Sequence, residues 1–195
     1  MAKHELTPAD IMSMETYGKI RLERRRQVRE LKKNRRIAVG PVATFYFENY
    51  QTMWHQVHEM LFIEKGGAEQ IADELAAYNP LIPKGRDLVA TLMFEIDDAE
   101  RRDRFLSELG HVETMVTISF DGESIEAVPE GDTERTDEGG KTSSVHFLHF
   151  PFSDLQVEKF RGPGARATVA INHENYGHAA KLSPAAHAAL AEDFD

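Results

Sequence analysis

Histidine side chains that could bind a metal occur on two predicted strands in the second half of the sequence. His146 alternates with apolar residues and shares a strand face with Leu148 and Phe150. His173 follows Ile171 with the same alternation, so both imidazoles are expected on the core side of a sheet. Two histidines and a carboxylate suit non-haem Fe(II), or Zn(II) with an open position. A histidine between apolar neighbours is also commonly a hydrogen-bonded core residue, and the pattern leaves both interpretations open.

Carboxylates that could complete such a site lie in residues 42–65, the longest strongly periodic stretch of the chain. At about 100° per residue this stretch predicts a long central helix with a buried apolar face. Glu48, His55 and Glu59 then form a second, narrower stripe on the same helix. If that stripe faces inward, Glu48 and Glu59 are predicted as metal ligands or as support for the ligands, together with His55. If it faces water, the three are ordinary solvated residues.

A short polar segment after the last predicted strand adds a tyrosine and a third histidine. Residues 173–178 read His-Glu-Asn-Tyr-Gly-His and are predicted to form a loop. Tyr176 could donate a hydrogen bond to a bound anion, carboxylate or peroxide, and His178 could chelate a metal together with His173. Segments that contain Asn and Gly are also commonly plain turns, so a structural role is the alternative.

Several classes of site are excluded by residues and motifs that the sequence lacks. With no cysteine, the chain has no disulfide, no thiolate metal site, no cysteine-ligated iron–sulfur cluster and no cysteine nucleophile. It has no Walker loop, GxGxxG, HExxH or GxSxG motif. The paired Glu-x-x-His motifs of a di-iron four-helix bundle are also missing.

Charge is distributed unevenly along the chain. Residues 1–40 carry a net charge of +6 and the remainder carries −16, which gives −10 overall. A basic segment beside an acidic body favours self-association or an acidic partner, although a solvated helix face is the alternative. Aromatic residues do not interleave with the arginines, so nucleic-acid binding is not favoured. The residues predicted to contact a partner are Arg24, Arg25, Arg26, Arg35 and Arg36.

The order of the predicted elements indicates an α+β protein. Thr7 and Pro8 predict the start of a long charged helix that runs to about Arg36, so residues 1–40 form a basic helical arm. Residues 41–195 form a single α+β domain, in which the central helix packs on a mostly antiparallel sheet of about five strands. Residues 129–142 are predicted to be a mobile loop. The sequence has no apolar run long enough for a membrane span and no signal sequence, so a cytoplasmic protein is expected.

Several stretches together resemble a bacterial family of unknown function. They are KNRRIAVGPVATFYFEN, the helix that ends in EMLFIE, YNPLIPKGRDLVATLMFEI, SSVHFLHFPF and the His-x-x-Tyr-x-His segment, spread over about residues 17–178. Genes of this family often neighbour those of rubrerythrin and of an iron–sulfur oxidoreductase of the glycerol-3-phosphate dehydrogenase type. The resemblance therefore implies a role in peroxide defence or electron transfer. The positions that match the family pattern are Glu48, Glu59, Glu64, His146, His173 and Tyr176.

The sequence departs from that family pattern at two positions. Gln often stands where this chain has His58, and Pro usually stands where it has Glu174. The first difference makes His58 a weak candidate for a ligand. The second puts the conformation of the segment after His173 in doubt.

Two functional hypotheses follow from these patterns. The first is a non-haem metal-binding protein of a peroxide-defence or redox pathway, with iron or zinc held by His146, His173, Glu59 and Glu48. Tyr176, His178, His55 and Glu64 would then bind ligands or support the metal ligands. The alternative is a non-enzymatic accessory subunit that docks on an iron–sulfur oxidoreductase or a rubrerythrin-like protein, and the charge pattern also allows a homodimer. Whether the chain is an enzyme is left open.

Overall fold

The protein is built in three layers: two antiparallel sheets packed face to face, with helices on the outer face of the larger sheet. The computed structural model describes residues 3–131, 135–162 and 164–195. In chain order the elements are α1 (Met14–Lys32), β1 (Arg36–Val39), β2 (Ala43–Glu48), α2 (Tyr50–Glu64), α3 (Gly67–Tyr78), β3 (Asp87–Phe94), α4 (Ala99–Ser107), β4 (Val116–Phe120), β5 (Glu123–Glu126), β6 (Val128–Pro129), β7 (Val145–Pro151), α5 (Asp154–Arg161), β8 (Thr168–His173), β9 (Tyr176–Lys181) and α6 (Pro184–Ala191).

The α+β fold class is confirmed, but the sheet architecture is richer than predicted. Over the described residues the structure has nine strands in two sheets rather than about five in one. The first sheet has the strand order β1-β2-β3-β7-β6, and the second has the order β5-β4-β8-β9. Every strand pair recorded within these sheets is antiparallel. The two sheets enclose the larger apolar core, and α1, α2 and α3 enclose a second one against the first sheet.

The predicted central helix over residues 42–65 is wrong in its first third. Ala43–Glu48 is strand β2, because its alternating aromatic and polar residues suit a strand buried on both faces. Phe45 and Phe47 face the core between the sheets, whereas Tyr46 and Glu48 face the helices. The chain becomes helical only after Asn49, whose side chain accepts a hydrogen bond from the Thr52 amide and caps α2.

The predicted helix of the N-terminal arm is also shorter than expected. Thr7 begins only a single 3-10 turn, Pro8–Asp10, and the long helix starts after Ser13, which caps α1. That helix packs along α2 through Tyr17, which is fully buried against the ring of Trp54. The predicted boundary after residue 40 falls in the turn between β1 and β2, which pair in one sheet. The basic helix is therefore joined to the remainder of the fold by paired strands.

The C-terminal half contains a strand that the sequence did not predict. The predicted loop over residues 173–178 is wrong, because β8 and β9 make a hairpin in which His173 pairs with Tyr176. The hairpin predicted at Asp121-Gly122 is confirmed, and both residues have the positive φ that such a turn requires. In the predicted mobile loop, Val128–Pro129 pairs with β7, and Thr136 bridges to Thr142. Residues 132–134 of that loop lie outside the described residues.

Membrane insertion through a helix finds no support in the part of the chain that the structure describes. None of the helices there combines the length and the apolar character needed to cross a bilayer.

A buried ion pair joins the start of β1 to the C-terminal end of the chain. Arg35, only 2% exposed, binds both carboxylate oxygens of Asp193 at 2.8 and 2.6 Å and also donates to the carbonyl oxygen of Ala189. Burial raises the pKa of the Asp193 carboxyl, and the Arg35 hydrogen bonds oppose that shift. The prediction that Arg35 contacts a partner is corrected, because its guanidinium is enclosed and already paired.

We predict that Arg35→Ala destabilises the fold by about 3–5 kcal/mol, because it leaves the buried Asp193 carboxylate without its partner. The matched control is Arg36→Ala at the next position. Arg36 is exposed and its ion pair with Glu95 lies at the surface, so it should contribute less than about 1 kcal/mol. Urea unfolding of both variants measures the difference. Equal losses at the two positions would contradict a structural role for the buried pair.

Candidate functional site

The four predicted metal ligands do not meet at one point. His146 lies on the inward face of β7, opposite Leu92 and within the core between the two sheets. Glu48 lies on the other face of the first sheet, where it accepts a hydrogen bond from Thr91 at 2.9 Å. Glu59 belongs to α2 and lies on that same helical side. The expected convergence is therefore corrected, because strand β3 and its neighbours separate these carboxylates from His146.

The remaining predicted ligand and its neighbours lie around the β8–β9 hairpin. His173 faces inward and is 6% exposed, and its Nδ1 accepts a hydrogen bond from the Asn175 amide at 3.1 Å. The Tyr176 hydroxyl is buried and donates to the Val39 carbonyl oxygen at 2.8 Å, so it holds the β1–β2 turn. His178 is exposed and packs against the Tyr176 ring at 4.4 Å. Over the described residues, no group of three or more His, Asp and Glu side chains is placed to hold a metal ion.

Glu59 instead forms a polar cluster with two side chains of α1. Arg21 binds its two carboxylate oxygens, each at 2.8 Å, and the Tyr17 hydroxyl donates to the same carboxylate at 2.7 Å. The Arg21 hydrogen bonds are the main cause that lowers the pKa of Glu59 from 4.5 to about 2. Burial is the main cause that raises the pKa of Tyr17. The cluster fixes α1 to α2 through charge-assisted hydrogen bonds.

His55 joins this cluster in a defined tautomer. Its Nδ1 lies 3.1 Å from the Tyr17 oxygen, whose single proton already points to Glu59. The ring therefore donates from Nδ1, and its Nε2 keeps a free lone pair. Burial, the largest cause, together with the charges of Lys32, Arg24 and Arg25, holds the pKa of His55 below its usual value, whereas Glu59 opposes the shift.

His55 also lines an open groove of about 400 Å³ between α1 and the β1–β2 edge of the first sheet. We call this the basic groove. No Asp or Glu side chain is among the residues that line it, so its electrostatic potential is positive. The lining residues are Arg25, Val28, Arg29, Lys32, Lys33, Arg36, Tyr46 and His55.

Three cations of the basic groove have no acidic partner among the residues described. Lys33 pairs with Glu30 and Arg36 pairs with Glu95, whereas Arg25, Arg29 and Lys32 form no ion pair within residues 3–131, 135–162 and 164–195. These three lie at spacings of four and three residues along α1, which places them on one helix face about 5–6 Å apart along the axis. A row of unpaired cations at that spacing can bind several negative groups at once.

The predicted partner-binding residues divide between this groove and other surroundings. Arg25 and Arg36 line the groove, whereas Arg24 stacks over Trp54 and donates hydrogen bonds to glutamines, and Arg26 is exposed outside the groove. Glu64 is exposed and accepts a hydrogen bond from Gln70. The sequence prediction missed Arg29, Lys32 and Lys33 as site residues, although their helical spacing with Arg25 could have identified them. Tyr46 had no such signal, because only strand pairing brings it beside α1.

The fold and this site are shared with an uncharacterised family. Residues 5–194 match the family described as "Protein of unknown function (DUF3501)", and the chain belongs to that family. The crystal structure of a novel protein of unknown function from Burkholderia pseudomallei K96243 is similar, with a TM-score of 0.90 and 36% identity. The similarity covers 97% of this chain and 99% of that one. Among curated proteins, no sequence matches.

We predict that Glu59→Gln destabilises the fold by about 2 kcal/mol near neutral pH, because Arg21 and Tyr17 lose a charged acceptor. The folded-state pKa of Glu59 is about 2 against an ordinary 4.5, so its stabilisation is present above pH 4.5 and is lost as the pH falls toward 2. Urea unfolding at several pH values should therefore show the two proteins converging in stability under acid conditions. The control is Glu64→Gln on the same helix, whose effect should be small at every pH. A pH-independent difference between Glu59→Gln and wild type would contradict the assignment.

Proposed function

We propose that this chain is an accessory protein that binds an acidic protein partner through the basic groove. The observation that carries the proposal is the row of three unpaired cations, Arg25, Arg29 and Lys32, on one wall of an open cavity. Charged groups of this kind steer a partner of opposite charge and fix its orientation. The groove is wide enough for side chains of a partner to enter between α1 and the sheet edge.

The charge of the whole chain favours an acidic protein segment over nucleic acid. Residues outside the N-terminal forty carry −16, so an extended polyanion that leaves the groove meets a repulsive surface. A protein partner presents its carboxylates locally and avoids that repulsion. Carboxylates four residues apart on a helix, or two apart on a strand, repeat at about 6–7 Å and match the cation spacing of α1.

The partners implied by the family resemblance are the first to test. They are a rubrerythrin-like protein and an iron–sulfur oxidoreductase of the glycerol-3-phosphate dehydrogenase type. A second copy of this chain is the other acidic surface available, and its binding would make a homodimer. In either case the chain would act within a redox or peroxide-defence pathway as a docking subunit.

We predict that the triple variant Arg25→Gln, Arg29→Gln, Lys32→Gln binds a fluorescent oligoglutamate peptide about 10–100-fold more weakly than wild type. The reason is that three charge attractions are lost at the site of contact. Fluorescence anisotropy at several salt concentrations measures the affinity, and wild-type binding should weaken steeply as salt rises. Co-purification with the two implied partners then tests whether the same residues are needed for a natural complex.

The matched control is the triple variant Arg26→Gln, Arg101→Gln, Arg104→Gln. It removes the same net charge from positions outside the groove. Its affinity for the peptide should stay within about twofold of wild type. Equal weakening in both triple variants would show that only net charge matters. Tighter binding of single-stranded DNA than of the peptide at the same salt would instead make the groove a nucleic-acid site.

We predict that peptide affinity rises as the pH falls from about 8 to 6, through protonation of His55. In the free protein, burial and the neighbouring cations keep the His55 pKa below 6.5. A carboxylate beside Nε2 raises that pKa, so binding takes up a proton, and the extra affinity is lost as the pH rises through the pKa of the bound state. His55→Gln should remove this pH dependence, whereas the exposed control His111→Gln should retain it. An unchanged profile in His55→Gln would exclude this histidine from the groove's ligand site.

A further inference from the structure

The core between the two sheets contains two polar side chains that face each other without satisfying each other. His146 on β7 is fully buried, and Glu113 lies in the 3-10 turn Val112–Thr114 that precedes β4, with 7% of its surface exposed. The His146 Nδ1 and the Glu113 Oε2 are 3.7 Å apart. Both atoms are buried and without a hydrogen-bond partner over the described residues. Buried polar atoms without partners are rare enough to need a physical explanation.

The contacts of the other ring nitrogen determine what Nδ1 can do. The His146 Nε2 lies 2.8 Å from the Ser143 carbonyl oxygen and 3.3 Å from the Thr142 hydroxyl. A carbonyl oxygen only accepts, so Nε2 carries the proton in the neutral ring. Burial is the main cause that holds the pKa of His146 below its usual value, which favours this neutral form. The Nδ1 lone pair then faces a carboxylate oxygen.

Three species could lie between these two atoms, and their sizes differ. A proton shared in an N–H···O bond needs a separation of about 2.7–3.2 Å. A water molecule that bonds to both acceptors at about 2.8 Å holds them about 4.6 Å apart at a tetrahedral angle. A metal ion with ligand bonds of about 2.0–2.2 Å holds them about 3.3–3.6 Å apart. The observed 3.7 Å is closest to the spacing of two ligands on one metal ion.

We propose that Glu113 Oε2 and His146 Nδ1 are two ligands of a divalent transition-metal ion of the zinc or iron class. An imidazole nitrogen with a carboxylate oxygen suits these ions, whereas magnesium and calcium prefer oxygen alone. The Ser143 carbonyl fixes the His146 ring by accepting from Nε2, which is the usual orientation of a metal-binding histidine. Water completes the coordination, because the described residues supply no third acidic or imidazole ligand.

This site is independent of the basic groove. His146 lies on the sandwich side of the first sheet, whereas the groove lies on its helical side. Of the metal ligands predicted from the sequence only His146 remains, and Glu113 takes the role expected of Glu48 and Glu59. Failure of anion binding would therefore leave the metal proposal untouched, and the reverse also holds.

Metal titration of the full chain after treatment with a chelator tests the proposal. We expect about one equivalent of Co²⁺ or Zn²⁺ to bind, measured by the visible absorbance of Co²⁺ and by calorimetry with Zn²⁺. Glu113→Gln and His146→Gln should each weaken binding at least about tenfold. The control His111→Asn removes an exposed imidazole two residues before Glu113 and should bind as wild type does.

Thermal unfolding with and without Zn²⁺ separates a lost ligand from a damaged fold. Without metal, Glu113→Gln should be at least as stable as wild type, because its amide group can donate to the Nδ1 lone pair. With Zn²⁺, only wild type and His111→Asn should gain stability. Wild-type protein that binds neither ion, or variants of Glu113 and His146 that bind as tightly as wild type, would overturn the proposal. A wild type whose unfolding temperature is unmoved by Zn²⁺ would also count against it.

Discussion

Burial of the first sheet on both faces is the constraint on which the rest of this structure depends. Strand β2 shows it most directly, because Phe47 packs into the core between the sheets while Tyr46, one residue earlier, faces the helices. A strand of this kind cannot carry one face of functional groups toward a single interior. It divides the polar residues of the chain into two sets that never meet.

On the helical side, polar contacts rather than apolar burial fix the position of α1. The Arg21–Glu59–Tyr17 hydrogen bonds hold the helix along α2 and leave its next turns free to project cations over the β1–β2 edge. The same cluster orients His55 with a free Nε2 toward those cations. Structural fixation and the electrostatics of the groove are thus parts of one network, which explains why the basic residues are concentrated on this helix.

On the other side, the core tolerates polar atoms only where the fold leaves them a partner. His146 is anchored through one nitrogen, and Glu113 enters the same core from a turn rather than from a regular strand. The apolar surroundings raise the free energy of any unpaired charge there, so the pair strongly favours a species that satisfies both atoms. The basic groove has the opposite character, because solvent screens its charges and lowers the energy of each contact.

The sequence by itself determined the α+β class, most element positions, the Asp121-Gly122 hairpin and the alternation that puts His146 on an inward face. Local propensity and period-two patterning are sufficient for those features. It did not determine that Ala43–Glu48 is a strand, because a short aromatic run suits a helix and a strand equally well. Nor could it place Glu113 beside His146 or Tyr46 beside α1. Those neighbours are fixed by strand order and by the packing of one sheet between two cores, which only the tertiary structure decides.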